Sequence, residues 1–201
     1  MVEGFYTDLR DVFALRLLDR TDAEGNAVQE RYNGGGARVF GLNAELRLVW
    51  PKWMVQGGIT WQNSRYKQPE YWSEDPAVAP VKKMFRTPDL YGFFNASYTI
   101  NKHFTASLSG TYTGSMLVQH MAGSGTPVDK AVDTPSFFDM GAKLSYEVKI
   151  FQTACLEFSG GITNIFNSYQ NDFDKGDLRD SGYIYGPSMP RSIHVGCKLH
   201  L

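Results

Sequence analysis

The chain has 201 residues, a formal net charge of −1 and a mean hydropathy of −0.32. The near-neutral charge argues against a nucleic-acid-binding protein, which would carry a basic excess. No stretch reaches about 18 consecutive apolar residues, so the sequence predicts no transmembrane helix. A transmembrane barrel is compatible with this composition, because its strands are apolar only at alternate residues.

The chain begins with a segment that has no clear pattern. Residues 1–6 lack the basic start, apolar core and cleavage site of a signal peptide. An exported protein needs such a peptide, so we expect this sequence to be a piece of a longer one. Residues of about 4–18 indicate a strand, although their poor alternation assigns no faces.

The clearest strand pattern covers residues 104–113. Five apolar or small residues alternate there with five serines and threonines. This regular period of two predicts a strand with one apolar face, and about ten residues suffice for a tilted strand to cross a bilayer. The apolar set is Phe104, Ala106, Leu108, Gly110 and Tyr112.

The same alternation recurs along the chain and predicts about eight strands in an all-β, antiparallel meander. The other segments are 42–50, 55–62, 90–100, 138–148, 154–159 and 193–201. Their polar positions include several charges: Glu45, Arg47, Asp139, Lys143, Glu147, Glu157 and Lys198.

Short and long connections alternate strictly between these strands. Three turns are short, near residues 51–52, 101–102 and 149–150, and four loops are long, roughly 19–36, 64–88, 117–135 and 167–189. Outer-membrane barrels have short periplasmic turns and long extracellular loops. Aromatic residues beside the short turns resemble an interfacial girdle. A soluble β-sandwich gives similar alternation but has no reason to keep its long loops at one end.

Four motifs, in order, resemble those of TonB-dependent outer-membrane receptors. Residues 41–46 are similar to a late barrel strand of that family, and 87–90 to the entry into the next strand. Residues 162–169 resemble the motif that precedes the closing strand, and 186–192 the start of that strand. Two positions depart from the pattern: Pro190 replaces a glycine, and Leu201 replaces a terminal aromatic residue.

The resemblance implies that residues 1–201 are the C-terminal part of an outer-membrane β-barrel, about the last third of a barrel of some 22 strands. The plug domain and the segment that contacts TonB would then lie outside the sequence. The implied partners are outer-membrane lipid, the remaining barrel strands, the plug, TonB and a small nutrient ligand, with no nucleic acid. The nutrient would be a metal chelate such as a siderophore complex, cobalamin or a glycan.

The sequence offers few candidates for a metal site or a catalytic site. The carboxylates of 172–180 suit Ca²⁺ in part, but the sequence lacks the rest of a calcium loop, and we expect solvated loop charge rather than a metal site. The four histidines are interpreted as single polar side chains. Cys155 and Cys197 fall on opposite faces of paired strands, so we expect both thiols to be reduced. Since no catalytic motif is present, we expect neither an enzyme nor a cofactor.

Ligand contacts are expected in the 64–88 loop, where aromatic residues accompany an arginine that could hold a carboxylate. The candidates are Tyr66, Tyr71, Trp72, Phe85 and Arg86. The same residues could instead pack the loop. Two other functions remain open: a self-contained eight-stranded outer-membrane barrel with a structural or adhesive role, and a soluble β-barrel that binds a small ligand.

Overall fold

A computed structural model describes residues 1–25, 27–151 and 154–200. The fold is all-β, as predicted, and seven of the eight predicted strands are confirmed as strands of its main sheet. The strands are β1 (Val2–Leu9), β2 (Phe13–Thr21), β3 (Ala27–Asn33), β4 (Ala37–Val49), β5 (Trp53–Glu70), β6 (Val81–Lys83), β7 (Leu90–Thr99), β8 (Phe104–Thr113), β9 (Leu117–His120), β10 (Lys130–Asp133), β11 (Phe137–Lys149), β12 (Cys155–Thr163) and β13 (Ser192–His200).

One large antiparallel sheet dominates the molecule. Eight strands form a continuous meander in the order β1-β4-β5-β7-β8-β11-β12-β13, and β6 pairs with the end of β5. In the described part of the chain β1 and β13 lie at opposite edges and do not pair with each other. The sheet is therefore open. The alternative of a self-contained eight-stranded barrel requires a closed sheet instead. Among the described residues, no helix is long and apolar enough to cross a membrane.

The predicted alternation of short turns and long loops is confirmed. The long connections are L1 (residues 10–36), L2 (71–89), L3 (114–136) and L4 (164–191). Two of them contain hairpins that the alternation did not predict, β2–β3 in L1 and β9–β10 in L3. The opening strand predicted over 4–18 is instead two strands, separated near Asp11, which has a positive φ of 52°.

The register places the apolar residues of all eight strands on one continuous face. Leu42 lies opposite Trp61, Trp61 opposite Leu90, and Leu108 opposite both Ala96 and Ala142. This face is uncovered: Leu108 is 42% exposed and Val195 is 86% exposed. A soluble β-barrel would bury this face inside, so the exposed apolar surface matches a sheet that faces lipid.

Aromatic residues gather at the short-turn end, as the sequence predicts for a girdle at the membrane interface. Trp53 stacks on Tyr98 with ring centroids 4.2 Å apart, and Phe104 lies 4.6 Å from Tyr146. Trp50 and Phe151 lie beside the same turns and are exposed. This belt marks the end of the sheet opposite to L1–L4.

Candidate functional site

L2, L3 and L4 are joined into one structure, which we call the loop cap. The Arg86 guanidinium of L2 donates hydrogen bonds to the carbonyls of Gly182 and Ile184 in L4, the latter at 2.8 Å. The Ser73 hydroxyl of L2 donates to Asp129 of L3 at 2.6 Å. A parallel bridge also joins residues 85 and 117. Every pair of these loops shares contacts, because L3 and L4 also meet at His120.

The loop cap has a small hydrophobic core of its own. Val118 of L3 is packed with Phe137, at the start of β11, and with Tyr183 and Tyr185 of L4. Gln170 is buried beside them; its side-chain nitrogen donates to the Tyr183 carbonyl at 3.0 Å and its oxygen accepts from the Tyr185 amide at 2.8 Å. Burial of apolar area together with satisfied polar groups gives the loops a folded interior.

Two of the candidate metal carboxylates in L4 are engaged in structural hydrogen bonds. Asp172 accepts from the hydroxyls of Tyr183 at 3.0 Å and Tyr185 at 2.7 Å. Asp174 accepts from His120 and from the Asp180 amide. The expectation of solvated loop charge is therefore wrong for Asp174, whose side chain is 3% exposed, whereas Asp172 is hydrogen-bonded but remains exposed. Within the described residues, no cluster of three or more potential metal ligands is found.

The tyrosine–carboxylate contacts shift the acid–base properties of the cap. Burial raises the pKa of Asp172, but the hydrogen bonds from Tyr185 and Tyr183 outweigh it, so the net pKa lies below its ordinary value. Burial and the neighbouring carboxylate raise the pKa of Tyr185. At neutral pH, Asp172 is therefore an acceptor and Tyr185 is a donor.

The five predicted ligand residues differ in their exposure and in the contacts that they already make. Tyr71 is 76% exposed and available to a ligand. Trp72 packs edge-on against Phe85 with ring centroids 5.4 Å apart, while its indole nitrogen is buried and has no hydrogen-bond partner among the described residues. Arg86 holds L4 through two hydrogen bonds. Tyr66 is half-buried on β5, opposite Ala37.

A concavity of about 640 Å³ lies below the loop cap, on the polar face of the sheet. Sequence reasoning missed two aromatic residues of its lining, Tyr91 and Phe93 on β7. Both residues break the alternation of that strand, because they put aromatic rings on its polar face. This break is the sequence signal from which they could have been identified as candidate ligand contacts. The other lining side chains include Asn43, Thr60, Gln62, Arg86, Thr111 and Thr113.

The cysteines and the terminal histidines lie away from the loop cap. Cys155 is opposite His200 and Cys197 is opposite Phe158, on the other face of the sheet. Both thiols are free, as predicted. Near the short-turn end, the carboxylate of Glu157 lies 3.1 Å from Lys143 and 3.3 Å from His200. These contacts are compatible with the predicted role of the strand histidines as polar luminal residues.

The sequence matches one protein-family profile over most of its length. The family is described as "TonB dependent receptor-like, beta-barrel", and the match covers residues 2–165. A search of curated proteins gave no significant match.

Several solved outer-membrane receptors have a similar fold. The ferric-catecholate import receptor Fiu of E. coli K12, in its closed form, matches with a TM-score of 0.65 and 22% identity over 99% of this chain. The ferric enterobactin receptor PfeA of Pseudomonas aeruginosa (G324V mutant) matches at 0.60 and 13% over 99%, and the siderophore receptor PiuA of Acinetobacter baumannii at 0.58 and 17% over 85%. The chain spans 24%, 28% and 22% of these proteins, respectively.

Proposed function

The chain belongs to the family of TonB-dependent receptor-like β-barrels, and on that premise we propose that it forms the C-terminal part of a receptor for energised nutrient uptake. Proteins of this family lie in the outer membrane of Gram-negative bacteria, and the exposed apolar face of the sheet fits that location. The rest of the barrel would pair with the open edges at β1 and β13. A plug domain would fill the lumen, and TonB would act on the plug.

The observation that carries this proposal is the combination of an open sheet, an apolar face towards lipid and a folded loop cap above a concavity on the polar face of the sheet. An uptake receptor needs such an entrance, where a ligand is bound on the outer side before it moves through the barrel. A structural or adhesive barrel needs no luminal concavity. The family consists of receptors, and we assign no catalytic role to the chain.

Among the nutrients considered, we propose a metal chelate, specifically a ferric siderophore. Fiu, PfeA and PiuA are named as receptors for ferric catecholate, ferric enterobactin and a siderophore. Ferric catecholate complexes are anionic and aromatic. The L2 end of this chain offers matching chemistry in exposed Tyr71 and in the exposed cation Lys82.

Tyr71→Ala in the full-length receptor is expected to weaken binding of a ferric catecholate complex by about two- to twelvefold, since a stacked aromatic contact contributes about 0.5–1.5 kcal/mol. Because Tyr71 is exposed, its loss should leave the loop cap folded. The change in affinity is measured by titrating the receptor in detergent with the ligand and following the quenching of tryptophan fluorescence.

The matched control is Tyr71→Phe, which keeps the ring and should bind almost as well as wild type. Equal affinity of wild type and Tyr71→Ala would remove Tyr71 from the site. The receptor function itself is tested separately, by deleting the gene and measuring growth on ferric catecholate as the only iron source. Unchanged growth and iron uptake in the deletion strain would argue against the proposed substrate.

A further inference from the structure

Two arginines lie side by side on the outward face of the sheet, at the end next to the long loops. Arg38 of β4 is directly opposite Arg65 of β5, and both residues are exposed. In the same unbroken register Leu42 is opposite Trp61, four positions further along each strand. Because side chains of a strand alternate between its faces, the arginines share the face of Leu42 and Trp61. They therefore stand on the lipid-facing side of the sheet, away from the concavity on the polar face.

The arginine pair lies at the level where the membrane is expected to end. Trp50 belongs to the aromatic belt at the short-turn end, and Phe40, which packs edge-on against Trp61, is exposed near the loops. Ten residue steps separate Phe40 from Trp50, which is about 33 Å along a strand. At the usual tilt this becomes about 25 Å across the membrane, the height of the apolar band of such barrels. Arg38, two residues beyond Phe40, is thus at the headgroup level of the outer leaflet.

The other charges of this region do not neutralise the arginine pair. Asp8 of β1 is opposite the arginine of β4, but it also forms an ion pair with Lys67. Lys83 of β6 is opposite the arginine of β5, and its ammonium lies 3.3 Å from Asp89. These acidic and basic partners balance each other, so the pair remains as an excess of positive charge. Like charges directly opposite each other in adjacent strands are destabilising, and a bound anion would relieve this repulsion.

We propose that Arg38 and Arg65 bind a phosphate group of an outer-leaflet glycolipid of the lipid A type, whose acyl chains lie against Leu42 and Trp61. The planar guanidinium group matches phosphate oxygens through two parallel hydrogen bonds. The Arg65 Nε donates to the Asn63 side chain at 3.2 Å, which steadies the guanidinium without using its two terminal nitrogens. Two such groups on neighbouring strands form a site for one doubly charged phosphate.

The order of side chains along this face favours a lipid over a free anion. From the middle of the membrane outwards, the face carries apolar residues, then the aromatic pair Phe40–Trp61 and then the two arginines. A phosphorylated lipid has the same order of parts, from acyl chains to an anionic headgroup. The outer leaflet of a Gram-negative outer membrane is rich in phosphorylated glycolipid. The site is separate from the proposed nutrient site, because the two lie on opposite faces of the sheet.

Titration of the full-length receptor in detergent with lipid A tests this site in the absence of any nutrient, with bound lipid counted by native mass spectrometry. Arg38→Gln and Arg65→Gln are each expected to weaken lipid A binding about fivefold, and the double substitution more than about tenfold. Both positions are exposed, so the loss of charge should leave the fold intact. Fully dephosphorylated lipid A should bind the wild type as weakly as lipid A binds the double variant.

Lys52→Gln is the matched control, because Lys52 is an exposed cation at the short-turn end of the same β4–β5 hairpin. It should bind lipid A as the wild type does. Displacement of lipid A by an equal concentration of inorganic phosphate would indicate a site for free anions and would overturn the lipid assignment. Unchanged lipid A binding in the double variant, or an equal loss in Lys52→Gln, would also overturn it. Neither result would affect the nutrient proposal, which is tested by ferric catecholate binding and growth.

Discussion

Leu108→Arg is expected to destabilise the barrel by about 2–4 kcal/mol, the cost of a cationic side chain on the lipid face near the middle of a membrane. Leu108 lies midway along β8, between Ala96 and Ala142 of the neighbouring strands, and its side chain is exposed on the apolar face. Small neighbours cannot shield the charge, and the distance to either interface limits how far the guanidinium can reach. Urea titration of the full-length receptor in phospholipid vesicles, followed by tryptophan fluorescence, measures the loss.

The adjacent residue provides the control for this substitution. Ser109 points to the opposite, polar face, and its partners Asn95 and Gly141 carry no charge. Ser109→Arg is expected to cost less than about 1 kcal/mol, because its side chain faces the polar lumen and not lipid. If Ser109→Arg were the more damaging of the two, the apolar face would be internal, and the membrane orientation derived above would be wrong.

The strands and their faces were predictable because successive side chains of a strand point to opposite faces, and here the two faces meet different environments. Where lipid contacts one face and water the other, each residue is selected for its side, and the alternation of 104–113 predicted β8 with its bounds. Beyond Gln62 this constraint ends. Residues 63–70 are mostly polar, yet they continue β5 past the predicted strand end, because no alternation of apolar and polar residues marks this part of the strand.

The weak pattern of the first strand has a local cause. Phe5 breaks the alternation because it lies on the polar face, where its ring covers Gly41 of β4. A Cβ at Gly41 would lie 2.2 Å from the Trp61 carbonyl oxygen and 2.7 Å from the Phe5 ring. The glycine of the family-like motif thus allows β5 and Phe5 to approach β4 closely. The periodicity of one strand does not show that a large side chain on it packs over a glycine of the neighbouring strand.

The loop cap could not be predicted, because its contacts join residues far apart in the sequence. Arg86 and Gly182 are separated by 96 positions, and His120 and Asp174 by 54. No periodic pattern links them. From the sequence, Arg86 was interpreted as a ligand contact because it is a charged residue beside aromatic residues. In the structure, its guanidinium donates hydrogen bonds to two backbone carbonyls of L4. The five candidates therefore separate into exposed Tyr71, half-buried Tyr66 on β5, and three residues that contact other parts of the loops: Trp72, Phe85 and Arg86.

Asn164→Ala is expected to destabilise the L4 region by about 3–5 kcal/mol, one of the largest effects of a single substitution in this chain. Asn164 is 2% exposed and has a positive φ of 48°, a conformation that asparagine tolerates better than alanine. Its side chain donates to the carbonyls of Ser168 and Met189 at 3.1 and 2.9 Å and accepts from the Ser168 amide at 2.8 Å. Alanine would leave these three backbone groups without a partner and would strain the turn.

Asn101→Ala separates this effect from the ordinary loss of a turn hydrogen bond. Asn101 also accepts from two backbone amides, those of His103 at 2.9 Å and Phe104 at 3.1 Å, but it is exposed and water can replace it. We expect a cost of about 1 kcal/mol there. Thermal unfolding in detergent compares the two variants, and hydrogen exchange locates the change. Loss of protection across L4 in Asn164→Ala alone is the expected result, because this residue ties the beginning of L4 to its end beside β13. Equal losses in the two variants would mean that the buried hydrogen bonds of Asn164 contribute no more to stability than an exposed cap.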